Sequence, residues 1–442
     1  VTTNVFVLGL DAQNHEVLLS LPDDDGGGYR FLPLLGLDEI GQDRRVDMPG
    51  LLALAGRRLD SFEGAVDAVI GFWDFPVSSL VPLLCRERGL PCAPLEAVVR
   101  CEHKYWSRLE QRAVIPEAVP PFGGVGLGAT AKPEGLSYPL WVKPVKSFSS
   151  ELAFRVTDDA GFREAMDRIR AGAGRLGESF QWVMDRVRPP PEVAELGGTA
   201  ALAEEEVTGD QLTVEGYVRG GVPHVYGIVD SHRYQGSSSF LRYEYPSKVP
   251  EEAGDRLTEL SERVVSRVGL DNVTFNIEYF HDPRSGAVRL LEINPRHSQS
   301  HARLFELVRG VSNHEICLRV VLGRDPEPER AGGYAVAAKW FLRRFRDGFV
   351  SAVPTEEDVA RAEGTAPGTK VEIVARRGRW LSDLPFQDSY SFELAHVFVG
   401  ARDSAECERR YRDCVGQLPF TIRDTDEEPR ARRGAGDDEN RQ

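Results

Sequence analysis

Two glutamates embedded in apolar, strand-like runs constrain this chain more than any other feature of its sequence. The runs 273–280 (VTFNIEYF) and 288–294 (VRLLEIN) are joined at 281–286 by HDPRSG, whose Asp-Pro step and glycine suit a hairpin loop. With that loop centred near Ser285, Glu278 falls opposite or nearly opposite Glu292, and period-two alternation sets Asn294 on the face of Glu292. Like charges facing each other across a ladder repel, and burying an uncompensated charge is costly. A cation resolves the conflict. Oxygen-only ligands suit Mg²⁺ or Mn²⁺, and Mg²⁺ completes its shell with waters and substrate phosphates. On spacing alone, a solvent-facing hairpin edge is the alternative.

The chain around this hairpin is long enough for several cores: 442 residues predict roughly three domains. Hydrophobic residues at 41% and charged residues at 28% are globular values that exclude wholesale disorder. Fifty-four basic against 69 acidic side chains leave a net charge of −15, so neither nucleic acid nor an anionic membrane is an expected partner. Cys85, Cys92, Cys101, Cys317, Cys407 and Cys414 form no C-x-x-C pair and read as reduced thiols of a cytoplasmic protein. No apolar run approaches the length of a membrane span, and the opening VTTNVFVLGLDAQ lacks the basic and apolar regions of a signal peptide.

Along the chain, 4–10 (NVFVLGL) and 66–71 (VDAVIG) read as buried parallel strands, with helices at 49–59 and 79–89. These predict an open α/β layer whose strand ends, at Asp11 and at Phe72 to Asp74, face a crevice. A helix over 102–113 and a Pro- and Gly-rich break over 116–133 lead into a small α+β unit, with strands at 140–145, 152–156 and 181–187 and a helix at 158–171. Residues 188–198 read as a mobile surface loop. Strands at 202–207, 212–218 and 224–229 and a helix at 256–269 precede the hairpin, and helices at 302–309 and 313–322 follow it. Strands at 335–341 and 370–375 and a helix at 404–415 close the folded part. The expected division is 1–115, 116–200, 201–330 and 331–422, with 423–442 a disordered, charged tail.

Lys143 stands in LWVKPV, where a strand favours an apolar side chain, and Lys146, Ser147, Ser149 and Ser150 follow in a short polar turn. Lysines, hydroxyls and backbone N–H groups together make a phosphate cradle. Two snorkelling surface lysines beside a loop are the alternative.

Taken in order, these pieces resemble the ATP-grasp ligases over about residues 1–420, and among them the carboxylate–amine ligases similar to L-amino acid ligases. The resemblance implies an ATP-grasp fold of mixed α/β and α+β domains: an N-terminal open α/β domain, a small lid subdomain, an antiparallel-sheet catalytic domain and a C-terminal α+β extension. It implies ATP-phosphate contacts from Lys104, which opens a helix, and from Lys143, which ends a lid strand, with a flexible loop at 146–151. In AEEEVTG, Glu204, Glu205, Val207 and Gly209 match the hinge that holds adenine. Gln211 stands where the family has a ribose-binding glutamate, and an amide also bonds a ribose hydroxyl. Glu278, Glu292 and Asn294 match the family's magnesium ligands, and Arg296 its catalytic arginine, placed to neutralise an acyl phosphate and the following oxyanion. Asn276, where the D-alanine ligases carry an arginine, favours the subgroup that joins amino acids.

The implied reaction is phosphorylation of a carboxylate by ATP, then attack of an amine on the acyl phosphate, on small amino-acid-like substrates and in a homodimer. A different nucleophile (bicarbonate, a hydroxyl or a thiol) and a non-catalytic nucleotide-binding protein are the alternatives. The same likeness sets Glu215, in LTVEGYV, toward the cleft, with a solvated strand face as its alternative. His232 lies in a polar, aromatic loop over 230–246 and is a candidate substrate residue. In HSQSH, His297, Ser298 and His301 are candidates for the acceptor end of the cleft; no third soft ligand completes a zinc site. GGVGLG at 123–128 follows no strand and reads as linker rather than a dinucleotide fingerprint. Cys407 and Cys414 read as half-buried on a helix, and Trp106 and Trp141 as core.

Overall fold

The computed structural model describes residues 2–22, 27–41, 45–147, 151–326, 330–384, 387 and 391–424. They form two compact units: Val1–His232 with Tyr243–Tyr334, and Arg233–Arg242 with the chain from Ala335 onward. The second unit thus takes in ten central residues that the sequence assigns to 201–330.

The first unit opens with a three-stranded parallel sheet in the order Tyr29–Leu35, Thr3–Leu8, Ala68–Gly71. Its strands are short and apolar because both faces are covered: Val5, Val7 and Ile70 pack with Leu318 on one side, and Phe6, Leu8 and Val69 with Leu80 and Leu84 on the other. The single helix expected over 102–113 is two helices, Leu95–Glu102 and Lys104–Val114. His103 between them is extended, and its Nδ1 accepts a hydrogen bond from the Trp106 N–H, which caps the second helix and leaves Lys104 at its first position. Trp106 is core, as expected.

A four-stranded antiparallel sheet follows, ordered Phe122–Val125, Ala201–Glu205, Leu140–Pro144, Phe154–Val156 and backed by helix Asp159–Gly172. Four expectations are corrected here. The glycine-rich linker contains an edge strand, Phe122–Val125, and the strand after residue 200 pairs inside this sheet rather than opening the next one. The strand expected at 181–187 is the end of a helix, Gly174–Met184. Its buried Leu176, Phe180, Val183 and Met184 recur at helical spacing and join the core of the N-terminal layer, beside Phe75 and Val46. The loop at 188–198 holds a short helix, Pro191–Leu196, pinned by the fully buried Val193.

The larger antiparallel sheet of the first unit runs Val288–Asn294, Val273–His281, Asp210–Arg219, Val222–Arg233. Helix Glu251–Val268 covers the face carrying Phe275, Ile277 and Tyr279, burying Leu257, Leu260, Val264 and Val268. The alternate residues, Thr274, Asn276 and Glu278, therefore face the other way, where helix Asn313–Val321 packs. The register pairs Glu278 with Glu292 and Asn276 with Asn294, as the turn chemistry predicts.

In the second unit, strands Val336–Arg344, Phe392–Ala401 and Thr369–Ile373 form an antiparallel sheet against helix Ser404–Val415. Cys407 and Cys414 are fully buried in its core rather than half-buried. Arg423, expected to start the tail, ends a strand, Thr421–Arg423, paired with Phe349–Ala352; the rest of the expected tail from 425 lies outside the described residues. Among the described residues no helix is long and apolar enough to cross a membrane.

Candidate active site

The hairpin carries Glu278, Glu292 and Asn294 to the wall of a cavity of about 180 Å³, shared with Asp74, Glu102, Lys146, Ser147 and Arg296. Burial pushes the Glu278 carboxyl up to about 7, the Glu292 charge adds to this, and Arg296 opposes it. Burial acts on Glu292 in the same direction, but Lys104, with Lys143 and Lys146 beyond it, outweighs it and holds Glu292 below the usual carboxylate range. Each candidate ligand is held at one end. Gln211 Nε2 donates to Glu278 Oε2 at 2.7 Å, Lys104 Nζ donates to Glu292 Oε1 at 2.8 Å, and Asn294 Nδ2 donates to Asn276 Oδ1 at 3.0 Å. Gln211 is therefore turned onto a carboxylate rather than presented as a ribose ligand.

Four cations surround this wall. Lys104 also reaches the Ser147 carbonyl at 2.8 Å, tying the helix start to the polar turn. Lys143 and Arg108 both pair with Glu204, whose side chain is buried; burial would raise that carboxyl, but the two cations hold it down at about 2. Of the expected hinge, then, the Glu204 side chain is spent on an ion pair, Glu205 Oε1 accepts from the Ser137 N–H, and Val207 is half-buried beyond the strand end. Lys146 lies 3.3 Å from Glu102, between the rings of Phe75 and Phe180, and burial lowers its pKa against the pull of Glu102. Ser78 and Ser79 donate to the same Glu102. Ser149 and Ser150 lie outside the described residues.

Arg296 is clamped by Asp74, which accepts from Nε at 2.8 Å and lies 2.6 Å from Nη2. Burial would lower the arginine pKa, but Asp74 overcomes it and keeps the guanidinium charged. Asp74 comes from the end of the N-terminal sheet, 222 residues away.

The other expected substrate residues are placed differently. Glu215 is fully buried, accepting from the Ser298 N–H at 3.0 Å and from Tyr226 at 3.1 Å, with His301 Nδ1 at 2.8 Å. His297 is buried in a directed chain. Asn14 Nδ2 donates to the Asp11 carboxylate, so Asn14 Oδ1 accepts from His314 Nε2–H; His314 Nδ1 accepts from His297 Nε2–H, and His297 Nδ1 from the Thr274 hydroxyl. Burial holds both imidazoles neutral, His314 down at about 3. Glu215, His297 and His301 are thus buried beside the loop bearing Arg296, outside the lining of the cavity around Glu278, and Ser298 joins Glu215 through its backbone. His232 belongs to the strand Val222–Arg233 rather than to a loop, and sits 3.9 Å from Glu244.

Four residues of the site escaped sequence reasoning as functional groups: Asp74, Glu102, Arg108 and Asn276. Asp74 lies three residues past the strand Ala68–Gly71, at the predicted crevice, the one signal that pointed to it. The partners of Glu102 and Arg108 come from distant segments, which local patterning does not register.

A parallel N-terminal layer, a small antiparallel sheet and a larger one are the layers of an ATP-grasp fold. Residues 136–302 match the model of the ATP-grasp domain family, and the chain carries an ATP-grasp domain. Solved structures share the fold across nearly the whole chain. L-amino acid ligase from Bacillus licheniformis superposes with a TM-score of 0.72 at 18% identity, covering 96% of this chain and 99% of that one. Biotin carboxylase from Campylobacter jejuni, in complex with an ATP analogue, gives 0.64 at 13%, covering 95% and 92%. N5-carboxyaminoimidazole synthase from Aspergillus clavatus, in complex with ADP, gives 0.62 at 14%, covering 94% and 98%. No curated protein matches the sequence.

Proposed function

We propose that the protein is an ATP-dependent ligase that activates a carboxylate as an acyl phosphate and couples it to an amine, releasing ADP and phosphate. One observation carries this reading: Glu278, Glu292, Asn294 and a charged Arg296 line one cavity with Lys146 and Ser147. The fold shared with L-amino acid ligase over 99% of that chain supports an amine as acceptor and small amino-acid-like substrates.

The donor set fits a hard divalent cation: two carboxylates and one amide oxygen, no soft ligand, and a Glu278 pushed toward neutrality by burial and then by Glu292. Glu278, Glu292 and Asn294 would hold Mg²⁺ or Mn²⁺, which supplies charge neutralisation to the polyphosphate. Lys104, Lys143, Lys146 and Ser147 bind the phosphates, and the chain at 204–207 takes the nucleoside. A carboxylate oxygen of the substrate forms its bond to the γ-phosphorus as the bond to ADP breaks. The amine nitrogen then adds to the acyl carbon, and phosphate leaves from the tetrahedral intermediate. Arg296, held by Asp74, neutralises the charge that develops on the acyl phosphate and oxyanion. No side-chain nucleophile is required.

The test is ADP and phosphate release with Mg²⁺-ATP against carboxylates and amines, singly and in pairs, with mass spectrometry of products. Release that needs both partners, with a product lighter than their sum by one water, establishes the ligase. Turnover supported by bicarbonate, a hydroxyl or a thiol in place of the amine reassigns the nucleophile, and nucleotide binding without turnover under any pair overturns the catalytic reading.

A further inference from the structure

We propose that Asn276 is a positioning residue that fixes which end of the Asn294 amide faces the cavity, and so makes Asn294 an oxygen ligand. The inference rests on the cation site proposed above and concerns a residue outside it.

The argument follows from donors and acceptors. Asn276 is 2% exposed, on the strand facing the Arg296 loop. Its amide lies 2.9 Å from the Arg296 backbone carbonyl, which only accepts, so the end pointing there is Nδ2. The other end, Oδ1, therefore faces Asn294 and only accepts, so the Asn294 atom 3.0 Å away is Nδ2. Asn294 Oδ1 is left at the cavity, beside carboxylates whose remaining oxygens are Glu278 Oε1 and Glu292 Oε2. None of these three oxygens has a hydrogen-bond partner among the described residues. A flipped Asn294 would instead aim an N–H at the cation and set two oxygens against each other at Asn276. A supporting amide of this kind typically changes metal affinity 10–100-fold. The same amide holds the carbonyl of Arg296, so one side chain sets both the cation ligand and the backbone of the anion-binding arginine.

A carboxylate has no wrong end, and this makes the idea separable from a general loss of structure. Mn²⁺ binding is measured from the free-ion paramagnetic resonance signal for the wild type, Asn276→Ala, Asn294→Asp and the double variant, with Asn276→Ser in parallel should the alanine variant not fold. Asn276→Ala weakens Mn²⁺ binding by at least tenfold in the wild-type background. In the Asn294→Asp background the same substitution causes no loss, because the symmetric ligand needs no orientation and is relieved of Asn276 Oδ1. An equal loss in both backgrounds overturns the positioning role while leaving the cation site intact. Absence of Mn²⁺ binding by the wild type overturns the cation site itself.

Discussion

Two clusters of charged and polar groups lie on the same face of the larger sheet, and they differ in how their valences are spent. Around Glu215 the partners close inward: Ser298, Tyr226 and His301 satisfy the carboxylate, while Thr274, His297, His314, Asn14 and Asp11 run donor to acceptor without interruption. Around Glu278 and Glu292 each carboxylate is held at one oxygen, and the other opens on a cavity. Polarity in a core therefore does not mark a binding site by itself; an unfinished hydrogen-bond set does.

The comparison can be broken at both ends. Glu215→Ala removes a buried anion from three partners and should lower unfolding stability by roughly 3–5 kcal/mol in denaturant titrations, the cost of breaking a buried pair; a loss under about 1 kcal/mol would mean the cluster is not structural. Arg296→Ala should remain folded but reduce kcat about 10²–10³-fold, equivalent to about 2.7–4 kcal/mol, and a rate within a few-fold of wild type removes the arginine from the mechanism. Mg²⁺ with ATP at about a hundred times its dissociation constant should stabilise the wild type by about 2.7 kcal/mol, read as a rise in the thermal midpoint. That rise should shrink in Glu278→Gln and Glu292→Gln; an undiminished shift would show that the nucleotide binds without this pair. The smallest effect belongs to Thr274→Val, which withdraws one donor from His297 and should cost about 1 kcal/mol with turnover unchanged. A tenfold fall in kcat there would join the two clusters functionally.

The hairpin was legible because its determinants are local: alternation sets the faces, and the Asp-Pro and glycine set the loop, so the pairing of Glu278 with Glu292 follows from a few dozen residues. The run FQWVMDRV was not, since a short apolar stretch suits strand and helix alike and only packing against Phe75 and Val46 decides it. The clamp on Arg296 was out of reach for a different reason: Asp74 is 222 residues away, and nothing in either segment names the other. Likewise Glu215, His297 and His301 carry the residue types of a site, and their burial is a property of the assembled core.

Helix Gly174–Met184 belongs by sequence to the small sheet's domain and by packing to the N-terminal core, where Ser179 also bonds the Val46 carbonyl at 2.5 Å. The small sheet is therefore moored at one side, and any swing that spares that core must bend elsewhere. Its neighbour, helix Asp159–Gly172, rides on the sheet, and the two helices meet at Gly172-Ala173-Gly174. Glycine at Gly172 leaves room for Leu152, whose Cδ1 lies 2.7 Å from where a Cβ would stand. Alanine at position 172 would therefore have to displace Leu152, which lines one cleft with Lys146 and Ser147, so this junction is tied to the polar turn of the cavity.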